Sequence, residues 1–236
     1  MTFSGKRAVV TGAAGGIGAA VVALLRERGA EVVDCDLAGA TVVADLATAE
    51  GRTALAEAAE RCDHLVLAHG IVRTKPIEQT TEEDWDAVLS VNAKSFYFLC
   101  KLFGPLLSDG GSIVTLSSIS ARSAASLEQS VYCASKAAVS SITRTFAHAY
   151  APRGIRVNAV LPGIIDTPMQ ERFLEAAARA RGTTPEALHE ARLRMVPLAR
   201  TSPPRECAET ILWLLSPAAG YLTGQQIAPD GGLTMY

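Results

Sequence analysis

The stretch of residues 8–36 constrains the fold of this chain more than any other part of its sequence. It contains a short apolar run, a glycine-rich segment TGAAGGIG at 11–18, a run of helix formers ended by Gly29, and a second apolar run ending on Asp36. This order predicts a strand, a tight turn, a helix and a second strand. Glycines let such a turn approach a pyrophosphate, and the helix N-terminus offers free N–H groups. Because an acid after the second strand can accept hydrogen bonds from ribose hydroxyls, the stretch predicts a dinucleotide site.

The composition fits one α/β domain spanning residues 1–236. Apolar residues make up 49% of the chain and its net charge is −2, so we expect no basic surface for nucleic acid or an anionic membrane. The sequence has no apolar run typical of a signal peptide or a membrane span, which favours a cytoplasmic protein. The five cysteines are scattered, and His64 and His69 lack a ligand cluster. We expect reduced thiols, structural histidines and no metal site.

Strand patterns alternate with helical patterns along the whole chain. The predicted strands lie at 8–10, 32–36, 41–46, 64–68, 112–118, 154–161 and 225–228, and the predicted helices at 19–28, 48–61, 81–107, 131–151, 168–195 and 205–216. This alternation predicts an α/β fold: a Rossmann-type doubly wound parallel sheet of about seven strands, with helices on both faces, in a single domain.

A second informative group of residues is Ser118, Tyr132 and Lys136. Tyr132 and Lys136 are four residues apart on a predicted helix, so their side chains share one face. Tyr97 and Lys101 have the same spacing but lie in an apolar helix that follows no such strand. The helix of Tyr132, by contrast, follows a strand that ends at Ser118, and the carboxyl ends of parallel strands border the cofactor crevice. Context therefore favours Tyr132 and Lys136 as the functional pair.

These residue types suit proton transfer next to a nicotinamide. A free tyrosine has a pKa of about 10, too high for a base at neutral pH. The Lys136 ammonium and the positive charge of an oxidised nicotinamide would favour the phenolate of Tyr132. The Ser118 hydroxyl could hold the substrate oxygen in line for transfer.

The T-G-x-x-x-G-I-G turn and the Y-x-x-x-K pair together resemble those of the short-chain dehydrogenase/reductase family, and the resemblance covers essentially the whole chain. It implies Tyr132 as general acid/base, with Lys136 tuning its pKa and binding ribose. It also implies Ser118 as the residue that orients the substrate oxygen and Asn92 as support for a proton-relay water. Thirteen residues separate Ser118 from Tyr132, one more than is usual, which leaves Ser117 and Ser120 as alternatives for the serine role.

The resemblance further implies a cofactor-binding set in which glycines form the turn, Asp45 lies near the adenine, and the backbone of Ile165 and the hydroxyl of Thr167 hold the nicotinamide amide. The full set is Gly12, Ala14, Gly16, Ile17, Gly18, Asp36, Asp45, Leu46, Ala68, Gly70, Tyr132, Lys136, Pro162, Gly163, Ile165 and Thr167. Residues 67–70 read LAHG where the family usually has N-N-A-G, so His69 is expected to have a structural or cofactor-adjacent role.

Asp36 also bears on the choice of cofactor. Its carboxylate would repel a 2′-phosphate, and no arginine or lysine occurs at 13–15 or at Leu37 to bind one. We therefore predict NAD(H) over NADP(H). If Asp34 were the ribose ligand instead, the preference would be the same.

The segment at about 168–200 is expected to cover the substrate pocket. It contains six arginines and four glutamates: Arg172, Arg179, Arg181, Arg192, Arg194, Arg200, Glu171, Glu175, Glu186 and Glu190. A basic lid could bind a carboxylate-bearing substrate, but such a pattern is more often a solvated helix face with i, i+4 ion pairs. Apolar Leu127, Val131 and Met169 near the expected mouth would suit a cyclic or hydrophobic alcohol.

These observations predict an NAD-dependent oxidoreductase that acts on a small-molecule secondary alcohol or ketone. Alternative substrates are 3-oxoacyl thioesters, and dihydrodiols or hydroxysteroids. A sugar-nucleotide epimerase would need a larger substrate domain, and a non-catalytic NAD-sensing scaffold would often lack the tyrosine or the lysine. The helices at 91–107 and 131–151 are more apolar than packing on one sheet face requires, which predicts a homotetramer.

Overall fold

The protein is built on one seven-stranded parallel sheet. The computed structural model describes residues 1–123 and 126–235. The strands are β1 (Arg7–Thr11), β2 (Glu31–Asp36), β3 (Val42–Val43), β4 (Cys62–Leu67), β5 (Leu107–Leu116), β6 (Arg156–Val160) and β7 (Gln226–Ile227). Their order in the sheet is β3-β2-β1-β4-β5-β6-β7, and every pairing is parallel. The predicted doubly wound α/β fold is confirmed.

Helices cover both faces of the sheet. They are α1 (Gly16–Glu27), α2 (Ala49–Ala59), α3 (Glu82–Leu89), α4 (Ser95–Phe103), α5 (Ser130–Tyr150), α6 (Pro168–Arg181), α7 (Pro185–Leu193) and α8 (Pro204–Leu215). Successive strand residues point to opposite faces. Val10 and Val66 therefore pack with α1 and α8 on one face, whereas Val9 and Leu65 pack with α2, α4 and α5 on the other.

Several predicted elements differ in extent from the observed ones. The helix expected over 81–107 is divided into α3 and α4 by a π turn at Ser90–Lys94, and β5 already begins at Leu107. The strand expected over 41–46 pairs only at Val42–Val43. The helix expected over 168–195 is two helices, because α6 ends at Gly182, whose φ of +63° leaves the helical region.

The sheet order positions the functional site. The chain leaves β1 towards β2 and β3 on one side, and returns on the other side to continue through β4 to β7. The crossovers that leave β1 and β4 therefore run to opposite sides, which opens a crevice at the carboxyl ends of these strands.

The described residues, 1–123 and 126–235, contain no disulfide and no cluster of metal-ligating side chains. All five cysteines are free thiols, four of them buried, and burial raises the pKa of Cys62, Cys100 and Cys207 to about 12. Over the same ranges no group of three or more metal-ligating side chains converges. No helix in the described part of the chain is both long and apolar enough to span a membrane.

Candidate active site

A cleft of about 400 Å³ lies along the carboxyl edge of the sheet. It brings together most of the residues singled out from the sequence. The predicted residues that line it are Gly12, Gly16, Ile17, Gly18, Asp36, Asp45, Leu46, Ala68, Gly70, Ser118, Tyr132, Lys136, Pro162, Gly163, Ile165 and Thr167. Of the predicted catalytic and cofactor-binding residues, Ala14 and Asn92 do not line the cleft.

The turn between β1 and α1 is a backbone surface at one end of the cleft. Gly12 has a φ of +67°, and a Cβ there would lie 2.6 Å from the His69 nitrogen. A Cβ on Gly18 would lie 2.0 Å from the Gly12 carbonyl oxygen, so both positions require glycine. Helix α1 starts after Gly15 without a side-chain cap and without an acid in its first turn. Its first N–H groups are therefore open to the cleft, which fits a bound pyrophosphate.

Asp36 ends β2 at the same part of the cleft. Its Oδ2 accepts a hydrogen bond from the Ala14 backbone N–H at 2.9 Å, and its Oδ1 accepts one from Leu37 N–H at 2.7 Å. Ala14 thus orients the carboxylate through its backbone. Asp34 instead bonds Arg26 Nη2 at 2.9 Å and the Thr41 hydroxyl at 2.6 Å, outside the cleft. The geometry favours Asp36 over Asp34 as the acid that meets a ligand.

Helix α5 presents Tyr132 and Lys136 to the middle of the cleft. Lys136 Nζ donates to the Leu116 carbonyl oxygen at 2.8 Å, which ties the helix to the end of β5. Ser118 also lines the cleft, and its hydroxyl acts on the Tyr132 side chain by lowering the pKa of the phenol. Ser117 donates to the Lys136 carbonyl at 2.8 Å and lies 3.0 Å from the Ser140 hydroxyl, so it is occupied in fold contacts. Ser118 is the serine that meets the tyrosine.

The sequence contains two other candidates: Ser120 for the serine role, and Tyr97 and Lys101 as a second Y-x-x-x-K pair. Ser120 lines the cleft, but its backbone N–H donates to Ser118 Oγ at 3.1 Å and so supports that hydroxyl. The Tyr97–Lys101 pair lies on α4 and does not contribute to the cleft. Of the two Y-x-x-x-K pairs, Tyr132 and Lys136 are therefore the pair that lines the cleft.

Burial moves the pKa values of the central pair apart. It raises the pKa of Tyr132 to about 12, an effect that the Ser118 hydroxyl only partly opposes. Burial lowers the pKa of Lys136 to about 7. Without a cofactor, desolvation is therefore the largest influence on the phenol of Tyr132. That Lys136 and an oxidised nicotinamide together bring its pKa into working range stays a prediction.

Asn92 lies in the π turn, fully buried behind the cleft wall. Its Nδ2 donates to the Ile71 carbonyl at 2.9 Å and to Ser135 Oγ at 3.0 Å, and its Oδ1 accepts from Ile71 N–H at 2.8 Å. Ser135 Oγ in turn donates to the Tyr132 carbonyl at 2.7 Å. Both amide hydrogens of Asn92 are used, so its side chain clamps the loop after β4 to α5. The relay water expected beside it stays a prediction.

His69 links β1 to the π turn through a chain of hydrogen bonds. Ser95 Oγ donates to the Val91 carbonyl, so it accepts from His69 Nε2 at 2.7 Å. His69 Nδ1 is then the acceptor for the Thr11 hydroxyl at 2.6 Å. Burial, and next to it the charge of Lys136, lower the pKa of His69 to about 3, so the ring is neutral. His69 thus connects two elements of the fold, and it also lines the cleft. A position next to a bound cofactor stays a prediction.

The segment 168–200 forms α6 and α7 beside the open end of the cleft. Among the described residues, Arg181 pairs with Glu128 at 2.7 Å and Arg200 with Glu206 at 2.9 Å. Neither partner lies within 168–200, so the predicted i, i+4 ion pairs do not form. Arg172 and Arg192 both line the cleft.

The sequence predicts three apolar residues at the mouth of the cleft. Met169 lines the cleft, whereas Leu127 is solvent-exposed and Val131 is buried elsewhere. Sequence reasoning missed Gln170 and Phe173, which also line it. Their position in the first turns after the Thr167 cap of α6 is the signal that could have identified them.

Comparisons with known proteins agree with this architecture. A family model described as enoyl-(acyl carrier protein) reductase matches residues 12–234. The chain is 36% identical over 258 residues to a 3-oxoacyl-(acyl-carrier-protein) reductase of Thermotoga maritima, with 100% of both proteins covered. A short chain dehydrogenase family protein of Francisella tularensis superposes with a TM-score of 0.90 at 29% identity, covering 98% of this chain and 99% of that one. A blue fluorescent protein from a metagenomic library, in complex with NADPH, superposes with a TM-score of 0.87 at 26% identity, covering 99% of this chain and 100% of that one.

Proposed function

This chain belongs to the short-chain dehydrogenase/reductase family, and from that premise we propose that it transfers a hydride between a secondary alcohol or its ketone and NAD(H). It is accordingly an oxidoreductase of CH–OH or keto groups. The observation that supports the proposed hydride transfer is that one cleft contains the glycine turn together with Ser118, Tyr132 and Lys136. The turn suits a pyrophosphate and the three side chains suit an oxygen that gains or loses a proton.

The roles of the central residues follow from their contacts. A bound nicotinamide supplies the hydride acceptor for oxidation or the hydride donor for reduction. Tyr132 gives or takes the proton of the substrate oxygen, and the Ser118 hydroxyl holds that oxygen within reach. Because burial keeps the phenol of Tyr132 protonated, the resting side chain is ready to donate in the reducing direction. In the oxidising direction Lys136, 5.6 Å from the tyrosine ring centre, stabilises the phenolate when it is charged.

The preference for NAD(H) rests on Asp36. If the adenosine ribose binds beside Asp36, a 2′-phosphate would bring a second negative charge next to this carboxylate. The basic residues of the cleft are Lys136, Arg172 and Arg192, which belong to α5, α6 and α7 and not to the β1–β3 end where Asp36 lies. The fluorescent protein that carries NADPH marks NADP(H) as the competing assignment.

Two substrate classes compete within this chemistry. The relative from Thermotoga maritima is a 3-oxoacyl-(acyl-carrier-protein) reductase, which makes an acyl thioester the first alternative. A cyclic or otherwise hydrophobic alcohol, such as a dihydrodiol or a hydroxysteroid, is the second, and the Met169 and Phe173 side chains in the cleft support it. Both use Ser118 and Tyr132 in the same way.

We also propose that the protein is a homotetramer. Tyr97, Phe98 and Leu102 are exposed side by side on α4, with exposed fractions of 44%, 39% and 36%. Trp85 on α3 is 49% exposed. A row of large apolar side chains on two consecutive helices is typical of a surface that packs against another copy.

The first experiment compares Tyr132→Phe with Tyr97→Phe, its matched control from the second Y-x-x-x-K pair. Turnover of secondary alcohols and ketones by Tyr132→Phe should fall on the order of 10²- to 10⁴-fold, because the proton carrier is removed. NADH binding, followed by nicotinamide fluorescence, should stay nearly unchanged. Tyr97→Phe should keep both properties. Equal turnover by the wild type and Tyr132→Phe would refute the mechanism.

Titration of the wild type with NADH and with NADPH tests the cofactor assignment. Tighter binding of NADH is expected from the position of Asp36. Tighter binding of NADPH would refute the NAD(H) preference while leaving the hydride-transfer chemistry intact. Failure to bind either cofactor would contradict the proposed function as a whole.

A further inference from the structure

Arg192 is a cleft residue whose charge has no partner in the described part of the chain. It lies on α7 with its guanidinium carbon 4.7 Å from the centre of the Phe173 ring. Its Nη1 is buried and makes no hydrogen bond to residues 1–123 or 126–235. Burial, together with the nearby charge of Arg181, lowers the pKa of Arg192 to about 10, so the side chain remains a cation at neutral pH.

The nearby Arg181, in contrast, has an acidic partner. Arg181 donates from Nε and Nη2 to the two carboxylate oxygens of Glu128, both at 2.7 Å. This two-point contact is the usual way in which a guanidinium is held. Glu128 is thus engaged by Arg181, and Arg192 takes part in none of the ion pairs between described residues.

Gln170 adds a second unsatisfied donor to the same wall. Its Nε2 is buried and lacks an acceptor among the described residues, while its backbone N–H is held by the Thr167 hydroxyl at 3.3 Å. Gln170 lies in the first turn of α6 and lines the cleft, as Arg192 does from α7. A buried cation and a buried amide without acceptors both cost free energy unless a ligand supplies oxygen atoms.

We propose that Arg192 and Gln170 recognise an anionic oxygen group, a carboxylate or a phosphate, on the substrate. The inference rests on the proposed function, since it assumes that the alcohol or ketone carbon lies at Ser118 and Tyr132. The substrate then has two recognised ends, an oxygen that reacts at Tyr132 and an anion at the α6–α7 wall. Hydroxy acids and their oxo acids, or phosphorylated secondary alcohols, have this form.

The competing explanation is that Arg192 only packs on Phe173 through its cation and its apolar stem. That contact is favourable in itself, and it is worth about 0.5–2 kcal/mol in typical cases. It uses the face of the guanidinium and leaves the in-plane N–H groups without acceptors. Packing alone therefore accounts for the position of Arg192 but not for its unused donors or for those of Gln170.

The test compares Arg192→Met, which keeps a flexible apolar stem over Phe173, with Arg192→Lys and with Arg172→Met as the control from the exposed side of the cleft. The substrates are lactate, 3-hydroxybutyrate and 4-hydroxypentanoate, each against its methyl ester, and glycerol 1-phosphate against 1-O-methylglycerol. The readout is kcat/KM for each member of a pair, with thermal unfolding as the check on folding.

The expected result is a wild-type preference for the anionic member of a pair. Arg192→Met should reduce kcat/KM for that anion on the order of ten- to a hundredfold through KM, and leave its neutral counterpart nearly unchanged. Arg192→Lys should recover part of the preference, and Arg172→Met should keep it. Which pair shows the preference decides between carboxylate and phosphate.

Two other results have distinct meanings. If neutral alcohols are turned over and no anion is preferred, or if Arg192→Met slows both members equally, the inference is overturned and the proposed function stands. If the wild type turns over no secondary alcohol or ketone of either kind, the proposed function itself fails.

Discussion

At the scale of single residues, burial decides the charge states in the cleft. Lys136 is buried in the cleft wall and donates to a backbone carbonyl, and its ammonium loses more solvation than it regains. Tyr132 beside it stays a phenol, and His69 stays neutral with its tautomer set by Thr11 and Ser95. Tyr132 and His69 are therefore uncharged, and a ligand that brings charge next to them will shift these pKa values.

The depressed pKa of Lys136 makes stability depend on pH. The pKa of Lys136 is about 7 in the folded protein, compared with 10.5 for an unperturbed lysine side chain. Between these values the unfolded chain binds a proton that the folded protein has released. The free energy of unfolding of the wild type, relative to Lys136→Met, should therefore rise with pH in this window, by at most about 1.4 kcal/mol per pH unit.

Urea unfolding of both proteins at several pH values, without cofactor, measures this difference. The buried cysteines also titrate differently in the two states, but they do so equally in both proteins and cancel in the comparison. A difference that stays constant from pH 7 to 10 would show that Lys136 is not desolvated as the structure indicates.

At the scale of elements, the β1–α1 turn is defined by close backbone contacts. Gly18 lies inside α1, where intrinsic helix propensity alone would favour alanine by about 1 kcal/mol. Its hypothetical Cβ collides with the Gly12 carbonyl oxygen, which belongs to the backbone and cannot rotate away. Gly15 precedes the helix in an extended conformation with φ of −161°, and a Cβ there meets nothing within 4 Å.

We expect Gly18→Ala to destabilise the protein despite its better helix propensity. The steric cost should be about 1–3 kcal/mol, which lowers Tm by roughly 2–10 °C in a chain of this size. Gly15→Ala should change Tm little, because the added methyl group has open space. Thermal unfolding of both variants by circular dichroism tests this. An unchanged Tm for Gly18→Ala would mean that the turn relaxes away from this contact.

At the scale of the whole molecule, α4 presents a row of exposed apolar side chains, Tyr97, Phe98 and Leu102. Phe98 has Arg52 over its ring at 5.3 Å, and Tyr97 packs edge-on against Phe146, so these side chains are held in place. A preorganised apolar surface loses little side-chain entropy when a second copy covers it.

We expect the wild type to elute at four times its chain mass of 24.8 kDa in light-scattering chromatography. The double variant Phe98→Glu/Leu102→Glu should dissociate, because two carboxylates per copy would be buried at the contact. Val43→Glu, at an apolar residue of the sheet edge that is 64% exposed, should keep the wild-type mass. A monomeric wild type, or an unchanged mass for the double variant, would contradict the proposed assembly.

The sequence by itself determined the features that depend on neighbours along the chain. The glycine spacing at 12–18, the one-turn separation of Tyr132 and Lys136, and the apolar alternation of the strands are local, and each led to the correct element. The fold and the family followed from these, because strand and helix periods repeat within a few residues.

Only the tertiary structure decided features that depend on distant segments. Asn92 turned out to clamp Ile71 and Ser135, His69 to connect β1 with the π turn, and Arg192 to be buried without an acid partner. The sequence could list these residues but not their contacts. The hydrogen-bond partners of Asn92 and His69 lie 21 to 58 residues away along the chain. Desolvation likewise follows from the packing of several elements around one group, so the direction of the pKa shift at Tyr132 became visible only in the folded chain.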